Sequence, residues 1–344
     1  MDTSLRNGLL ASFIILTAIA DSAVGQENVA NFYRGKTVRI VVGVAVGSGY
    51  DINARVFARH FAARIPGNPT VIVQNQPGAG SLTMTNALYN NGPFDGTVIG
   101  ASFSGVPTTP LLEPSSARFD PLKLNWLGST NRETNISYLW HTASVRRLED
   151  LFTTEVVVGA QFPGSGQYDF PILLNRLVGT KFKVITGYES TAKIHLAMER
   201  GEVLGIGAST WSSLKALNSN WLQEKKVRII AQWGLKRQSD FADLPMVLDL
   251  AKTQADRQAL QLVLVRQEFG RPFFLPPNVA PNRTDALRRA FDATMKDHAY
   301  ITEAEKLKLD VDPLSGEQVA TLVGQVSETP PEVVDRVRAA LEKK

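Results

Sequence analysis

The chain has 344 residues, 37 basic and 33 acidic, a formal net charge of +4, and no cysteine. At ~150 residues per domain the length predicts about two domains, and 44% hydrophobic residues are enough for a sizeable core. The absence of cysteine excludes a disulfide framework, a thiolate nucleophile, a zinc ribbon, an iron–sulfur cluster and a lipid anchor on an N-terminal cysteine, and the small positive surplus is too dilute to predict a nucleic-acid partner.

Residues 1–25 carry one basic side chain, Arg6, then an uncharged, mostly apolar run from Gly8 to Ala20, then Ala23-Val24-Gly25. That order is the pattern of a secretory signal peptide cleaved near Gly25, and the run is shorter than the ~18 residues of a spanning helix. An exported protein without anchor or cysteine is expected to be periplasmic.

The first predicted strand is Thr37–Val42, rich in β-branched residues. A glycine-rich loop, Gly43 to Tyr50, leads into a helix near Asp51, where Ile52, Val56, Phe57, Phe61 and Ile65 recur at helical spacing. Thr70–Val73 is the second strand, Gln76–Ser81 a loop, Leu82–Tyr89 a helix, and Thr97–Gly100 the third strand. The same grammar restarts in the middle of the chain. Glu155–Gly159 is a strand, Ala160–Gln167 a loop, Tyr168–Leu177 a helix, Lys183–Ile185 a strand, Ala192–Arg200 a helix and Val203–Gly207 a strand. Val227–Ala231 is a strand from which the chain can lead back to the first lobe. Helices follow at Thr253–Val265, Asp285–Asp297, Gly316–Ser327 and Pro331–Lys343. Strands alternating with helices predict an α/β fold whose sheets are mostly parallel and flanked by helices.

The two restarts carry matching loops, Gly47-Ser48-Gly49-Tyr50-Asp51 and Gly164-Ser165-Gly166-Gln167-Tyr168-Asp169, each after a strand and before a helix. One such loop is a plain tight turn as readily as a site. Two matched copies predict two similar lobes, each presenting a helix N-terminus at the carboxyl end of its sheet, where unpaired N–H groups and the helix dipole favour an anion. The cleft between them could close on such a ligand. No G-x-G here continues to a dinucleotide fingerprint, and His60, His141, His195 and His298 have no metal-ligand spacing, so neither cofactor nor metal is expected. Gly207-Ala208-Ser209 begins a nucleophile-elbow pattern, but Trp211 replaces its second glycine. No coherent set of nucleophile, base and orienter emerges.

These residues resemble a known family, the substrate-binding (Bug) proteins of tripartite tricarboxylate transporters. The likeness lies in Ile40-Val41-Val42, Gly47 to Ile52 with Ala54-Arg55, Asn75 with Pro77-Gly78-Ala79-Gly80, Asp95-Gly96, Gly164-Ser165-Gly166, Tyr188, Gly201-Glu202-Val203, and Arg237 with Leu244-Pro245. It spans nearly the whole mature chain and is most specific from Val38 to Gly100. The resemblance implies a two-lobed, type II Venus-flytrap periplasmic binding protein, without catalysis. It implies a small carboxylate held between the lobes by loop amides and delivery to the family's membrane permease. The lobes are expected at 26–127, 128–232 and 233–344, the last returning to lobe one with the C-terminal helices, and the protein is expected to act as a monomer. Gly43 replaces the family's proline and should loosen the first loop. Tyr50 replaces a small threonine and could narrow the pocket or stack on a ring. Glu189 and Ser190 replace Lys-Gly; the acid would repel a dianion or favour an amine, unless it faces solvent.

The candidate ligand-binding residues are therefore Val46, Gly47, Ser48, Gly49, Tyr50 and Asp51 in the first loop and Gly164, Ser165 and Gly166 in the second. Ser104 and Gly105 follow the third strand, with Tyr188, Ser209, Thr210 and Trp211 in the second lobe. Asp51 could receive a ligand ammonium or cap its helix. Ser48 and Ser165 could donate to a carboxylate or serve as turn residues. Trp211 could meet an apolar ligand body or pack at a hinge or core. The alternatives to transport are a secreted hydrolase built around Ser209, which needs a base beside that serine, and a ligand sensor feeding a signalling receptor.

Overall fold

The strand β1 (Thr37–Val42) shows how lobe one is built. Its alternate residues Val38, Ile40 and Val42 are buried in one apolar cluster while Val41 enters another, so the strand is central and covered on both faces. The structure is a computed structural model describing residues 29–342; the stretch 1–25, read above as a signal peptide, lies outside the described residues. β2 (Thr70–Asn75) and β3 (Val98–Ala101) pair with β1 in parallel, joined by α1 (Gly49–Phe61) and α2 (Leu82–Asn91). β4 (Asn125–Ser129) runs in the same direction but is separated from β3 by an antiparallel strand that arrives much later in the chain.

Lobe two begins with β5 (Asn135–Trp140), followed by β6 (Val156–Gly159), α3 (Gly166–Val178), β7 (Phe182–Ile185), α4 (Thr191–Glu199), β8 (Gly205–Thr210), α5 (Trp211–Asn218) and β9 (Val227–Trp233). β6 and β7 are parallel, while β5 is antiparallel to both its neighbours, β8 and β9. Leu204 N–H donates to Val157 O at 2.8 Å and joins the two parts of this sheet. β9 is thus still a lobe-two strand.

The return passes through α6 (Gln254–Leu264) and a short helical turn, Arg266–Phe269, to β10 (Pro272–Leu275), which closes the lobe-one sheet. Thr253 caps α6 by accepting from Asp256 N–H. α7 (Pro281–Met295), α8 (His298–Lys306), the two-residue β11 (Leu314–Ser315), α9 (Gly316–Ser327) and α10 (Pro331–Leu341) complete the chain. α7 and α8 cover one face of lobe one, and α9 packs on β4 from the other. α10 lies across α6 and α3, and its Arg338 donates to Leu111 O at 2.8 Å, so it touches both lobes. One apolar cluster accordingly runs from Val41 and Trp126 through Val337 to Phe170 and Trp233. No described helix is long and apolar enough to cross a membrane.

The first loop is not loosened at Gly43. Its N–H donates to Ala101 O at 2.9 Å and its carbonyl accepts from Ser81 Oγ at 3.1 Å. A Cβ here would lie 2.4 Å from that Oγ, so Ser81 and glycine go together.

In lobe two, His195 is buried between Tyr138 and Asn218. The Asn218 carbonyl 2.5 Å from Nδ1 only accepts, so Nδ1 carries the proton and Nε2, 2.6 Å away, accepts from Tyr138 OH. Burial pushes this histidine down from 6.5 to about 4 against the pull of Asn218. The unfolded chain binds its proton first, so stability should be full above about pH 7 and fall by about 3 kcal/mol as pH drops to about 4. Urea titrations at several pH values on wild type and His195→Gln test this; equal acid slopes would refute it.

Candidate functional site

The two glycine loops fold alike because each is tied by its own aspartate. Gly47, at φ 79°, donates its N–H to Asp51 Oδ2 at 2.9 Å, and Gly164, at φ 98°, donates to Asp169 Oδ1 at 2.9 Å. The positive φ at each turn is the reason for glycine. With those two amides engaged, the free donors are the next ones along, Gly49 and Tyr50 at the head of α1 and Gly166 and Gln167 at the head of α3. First-turn amides have no helical acceptor.

Asp51 has a third role beside the two expected from the sequence. The cap of α1 is Ser48, whose Oγ accepts from Asp51 N–H at 3.3 Å. The buried Asp51 carboxylate takes Gly47 N–H, Arg55 Nε at 3.1 Å and Asn75 Nδ2 at 2.9 Å. Burial works against its charge, but the bonds from Arg55, Gly47 and Asn75 outweigh it and hold the carboxyl below its usual range. Asp51 therefore fixes the loop, and its oxygens are spent. Ser165 donates to Phe162 O at 2.6 Å, whereas Ser48 keeps its proton. Val46 stands on the rim, 72% exposed.

Tyr50 spans from loop one to the chain's return. Its hydroxyl donates to Gly270 O at 3.2 Å, Ser104 N–H reaches it at 3.4 Å, and its ring meets Phe103 edge-on at 4.7 Å. Burial pushes the phenol up, so it stays protonated. Gly105 lies beside the Arg266 side chain, whose Nε donates to Thr108 Oγ1 at 3.0 Å.

The lobes meet at these loops. Phe162 of loop two stacks edge-on against Phe103 at 5.8 Å and lies 3.3 Å from a Cβ placed on Gly80. Glu113 of lobe one lies 3.6 Å from a Cβ placed on Gly164, and burial, then Asp169, push its carboxyl up. Arg266 makes a buried ion pair with Asp169 at 2.6 Å. A Cβ on Gly49 would sit 3.6 Å from Arg271 Nη2 and 3.7 Å from Ser213 Oγ of α5. The loop-one residues, Ser104, Gly105 and the second loop thus lie along one boundary between the lobes, with Ser213 of α5 beside Gly49.

Of the other lobe-two candidates, Thr210 belongs to the same boundary, its Oγ1 donating to Ser213 Oγ at 2.6 Å. Thr210 caps α5, and Trp211 turns outward, donating to Asp240 at 3.3 Å and packing on Phe241 at 5.0 Å. Tyr188 packs against Gly159 at the end of β6. Ser209 is buried within β8 beside the Tyr138 hydroxyl, and His195 bonds that hydroxyl. Glu189 is exposed. Among the described residues no group of three or more His, Asp or Glu could hold a metal.

Phe162, Arg266 and Arg271 were not anticipated from the sequence. A hint lies in the spacing of the arginines, which bracket Gln267–Gly270, but only the fold brings that segment under the loops.

The arrangement is two α/β lobes whose matched glycine loops meet at one boundary. No family model matches the chain. A curated protein of Cupriavidus necator, "UPF0065 protein in gbd 5'region", is 23% identical over 299 residues, 83% of each chain. The periplasmic binding protein BugD matches with a TM-score of 0.69 at 18% identity, covering 91% of this chain and 100% of its own. MatC from Rhodopseudomonas palustris with bound malate gives 0.66 at 18%, covering 89% and 99%. A second R. palustris protein, with adipate, gives 0.67 at 16%, covering 88% and 97%. The chain has the fold of the two-lobed periplasmic binding proteins, and the solved structures it matches include those of the family its sequence resembles.

Proposed function

We propose that the chain is a periplasmic solute-binding protein that captures a small carboxylate between its lobes and delivers it to the membrane permease of a tripartite tricarboxylate-type transporter. It acts by binding, without catalysis. The observation that carries this reading is the pair of mirrored glycine–aspartate loops, each exposing first-turn amides at the boundary between the lobes. Helix N-termini with free N–H groups suit a carboxylate without any fixed counter-charge. The malate and adipate held by two proteins of this fold agree with it, as does the leader-like segment at 1–25.

The test is a thermal-shift and calorimetric screen of the purified mature protein against malate, adipate, other dicarboxylates, aromatic acids and amino acids. A ligand at about 100 times its Kd should stabilise the native state by about 2.7 kcal/mol. At least one carboxylate is expected to give such a shift. A flat response across the panel would overturn the reading.

A further inference from the structure

Past α8 the chain makes a turn that reaches across to the other lobe. Leu309 N–H donates to Ala304 O and Lys308 N–H to Glu305 O, both at 2.9 Å, which is the bonding of a helix terminator. Lys308 takes its left-handed position, at φ 56°, where glycine is the usual residue. Leu309 is buried in the lobe-one core, and Val311 packs against that core. Asp312 N–H donates to Thr130 O at 3.3 Å, and its carboxylate takes Arg132 at 2.5 and 2.7 Å. Leu309, Val311 and Asp312 thus fasten the turn to lobe one and to the chain just after β4.

The residues between those anchors face lobe two. Lys308 Nζ donates to Ser219 Oγ at 2.6 Å, and Asp310 Oδ1 accepts from Lys215 Nζ at 2.6 Å, both at the far end of α5. Lys215 also lies over the Trp211 ring, 5.3 Å from its centre. One lysine from each lobe therefore reaches into the other. A side chain at left-handed φ costs stability that glycine would save, and at Lys308 that side chain is the bridge between the lobes. Lys215 and Asp310 are 27% and 41% exposed, whereas Arg266 and Asp169 are buried. Salt screens exposed charges strongly and buried ones much less.

We infer that the turn 307–312 is a salt-sensitive strap: through Lys215–Asp310 and Lys308–Ser219 it holds the lobes in the arrangement in which Phe103 meets Phe162. An exposed ion pair shifts an equilibrium by about fivefold at most, which is enough where two arrangements lie close in energy. None of the strap's bonds goes to a glycine-loop residue, so it sets the balance between shut and parted lobes from outside those loops.

The chain has no cysteine, so Asn91→Cys on α2 and Lys183→Cys on β7, both exposed, place one spin label on each lobe. Pulsed dipolar spectroscopy then reads the lobe separation in the mature protein without ligand. At about 20 mM NaCl the short separation should dominate, and about 500 mM NaCl should raise the ratio of long to short roughly threefold. Lys215→Met with Lys308→Gly should raise that ratio about fivefold at low salt and abolish the salt response. The exchange Lys215→Asp/Asp310→Lys should restore both. Lys308→Gly alone should melt no lower than its parent, since it relieves the left-handed strain, and yet part the lobes; a merely local role for Lys308 would leave the separation unchanged. A distribution shared by parent and double variant, or a parent already parted at low salt, overturns the inference. No ligand is present, so that failure leaves the carboxylate reading standing, and a flat carboxylate screen leaves the strap standing.

Discussion

Replacing Arg266 with methionine is expected to destabilise the protein by about 3–5 kcal/mol, because it leaves a carboxylate buried without its counter-charge. Arg266 and Asp169 are 6% and 5% exposed at the side chain and 2.6 Å apart. Without Arg266, Asp169 keeps only the Gly164 amide. The same change strips Thr108 of its arginine partner, so a lobe-one loop and the head of α3 lose their common tether. Urea denaturation measures the effect as a shift of midpoint at constant slope. Adding Asp169→Asn should recover part of the loss, since a neutral amide can still accept from Gly164. A single variant within about 1 kcal/mol of wild type would refute the role given to the pair.

The second large effect falls on binding. Gly47→Val and Gly164→Val should each weaken carboxylate binding by about 100-fold or more, roughly 3 kcal/mol, with the fold retained. No atom lies within 4 Å of a Cβ placed on Gly47, so nothing clashes. The damage comes from the backbone: φ of 79° and 98° is hostile to a β-branched residue. The loop would leave that conformation, break its bond to the aspartate and carry the first-turn amides out of line. Gly47→Asn is the control, since asparagine tolerates the left-handed region and should keep binding within about tenfold. Unchanged affinity in both valine variants would remove the loops from the site.

The strand–loop–helix units of lobe one were legible in sequence because local signals agree there: β-branched strands, glycine loops and helical apolar spacing all point the same way. α6 with its Thr253 cap and α9 over Gly316–Ser327 were legible for the same reason. β4 and β5 were not, since NWLGS and NISYLW lack the alternation of a half-exposed strand; nearly every residue in them is buried. β8 runs on to Thr210 because Asn135 and Ile136 of β5 offer partners that no local pattern announces. The paired loops were visible in the candidate site, but the role of Asp51 was not, because capping and loop-tying use the same residue type. Arg266 and Arg271 acquire meaning only from residues far away in sequence, and Trp211 turns outward because Phe241 and Asp240 fold beneath it.

The glycine–aspartate ties have a consequence for how occupancy is reported. Each loop is fastened within its own lobe, by Asp51 and Asn75 in one and Asp169 in the other. The ordering entropy of the loops is therefore spent when the chain folds, not when solute arrives. Little is left for the ligand to rearrange except the position of one rigid half against the other. Under the transport reading proposed above, a permease meeting such a protein would read a two-valued signal, open or shut, whatever the shape of the solute.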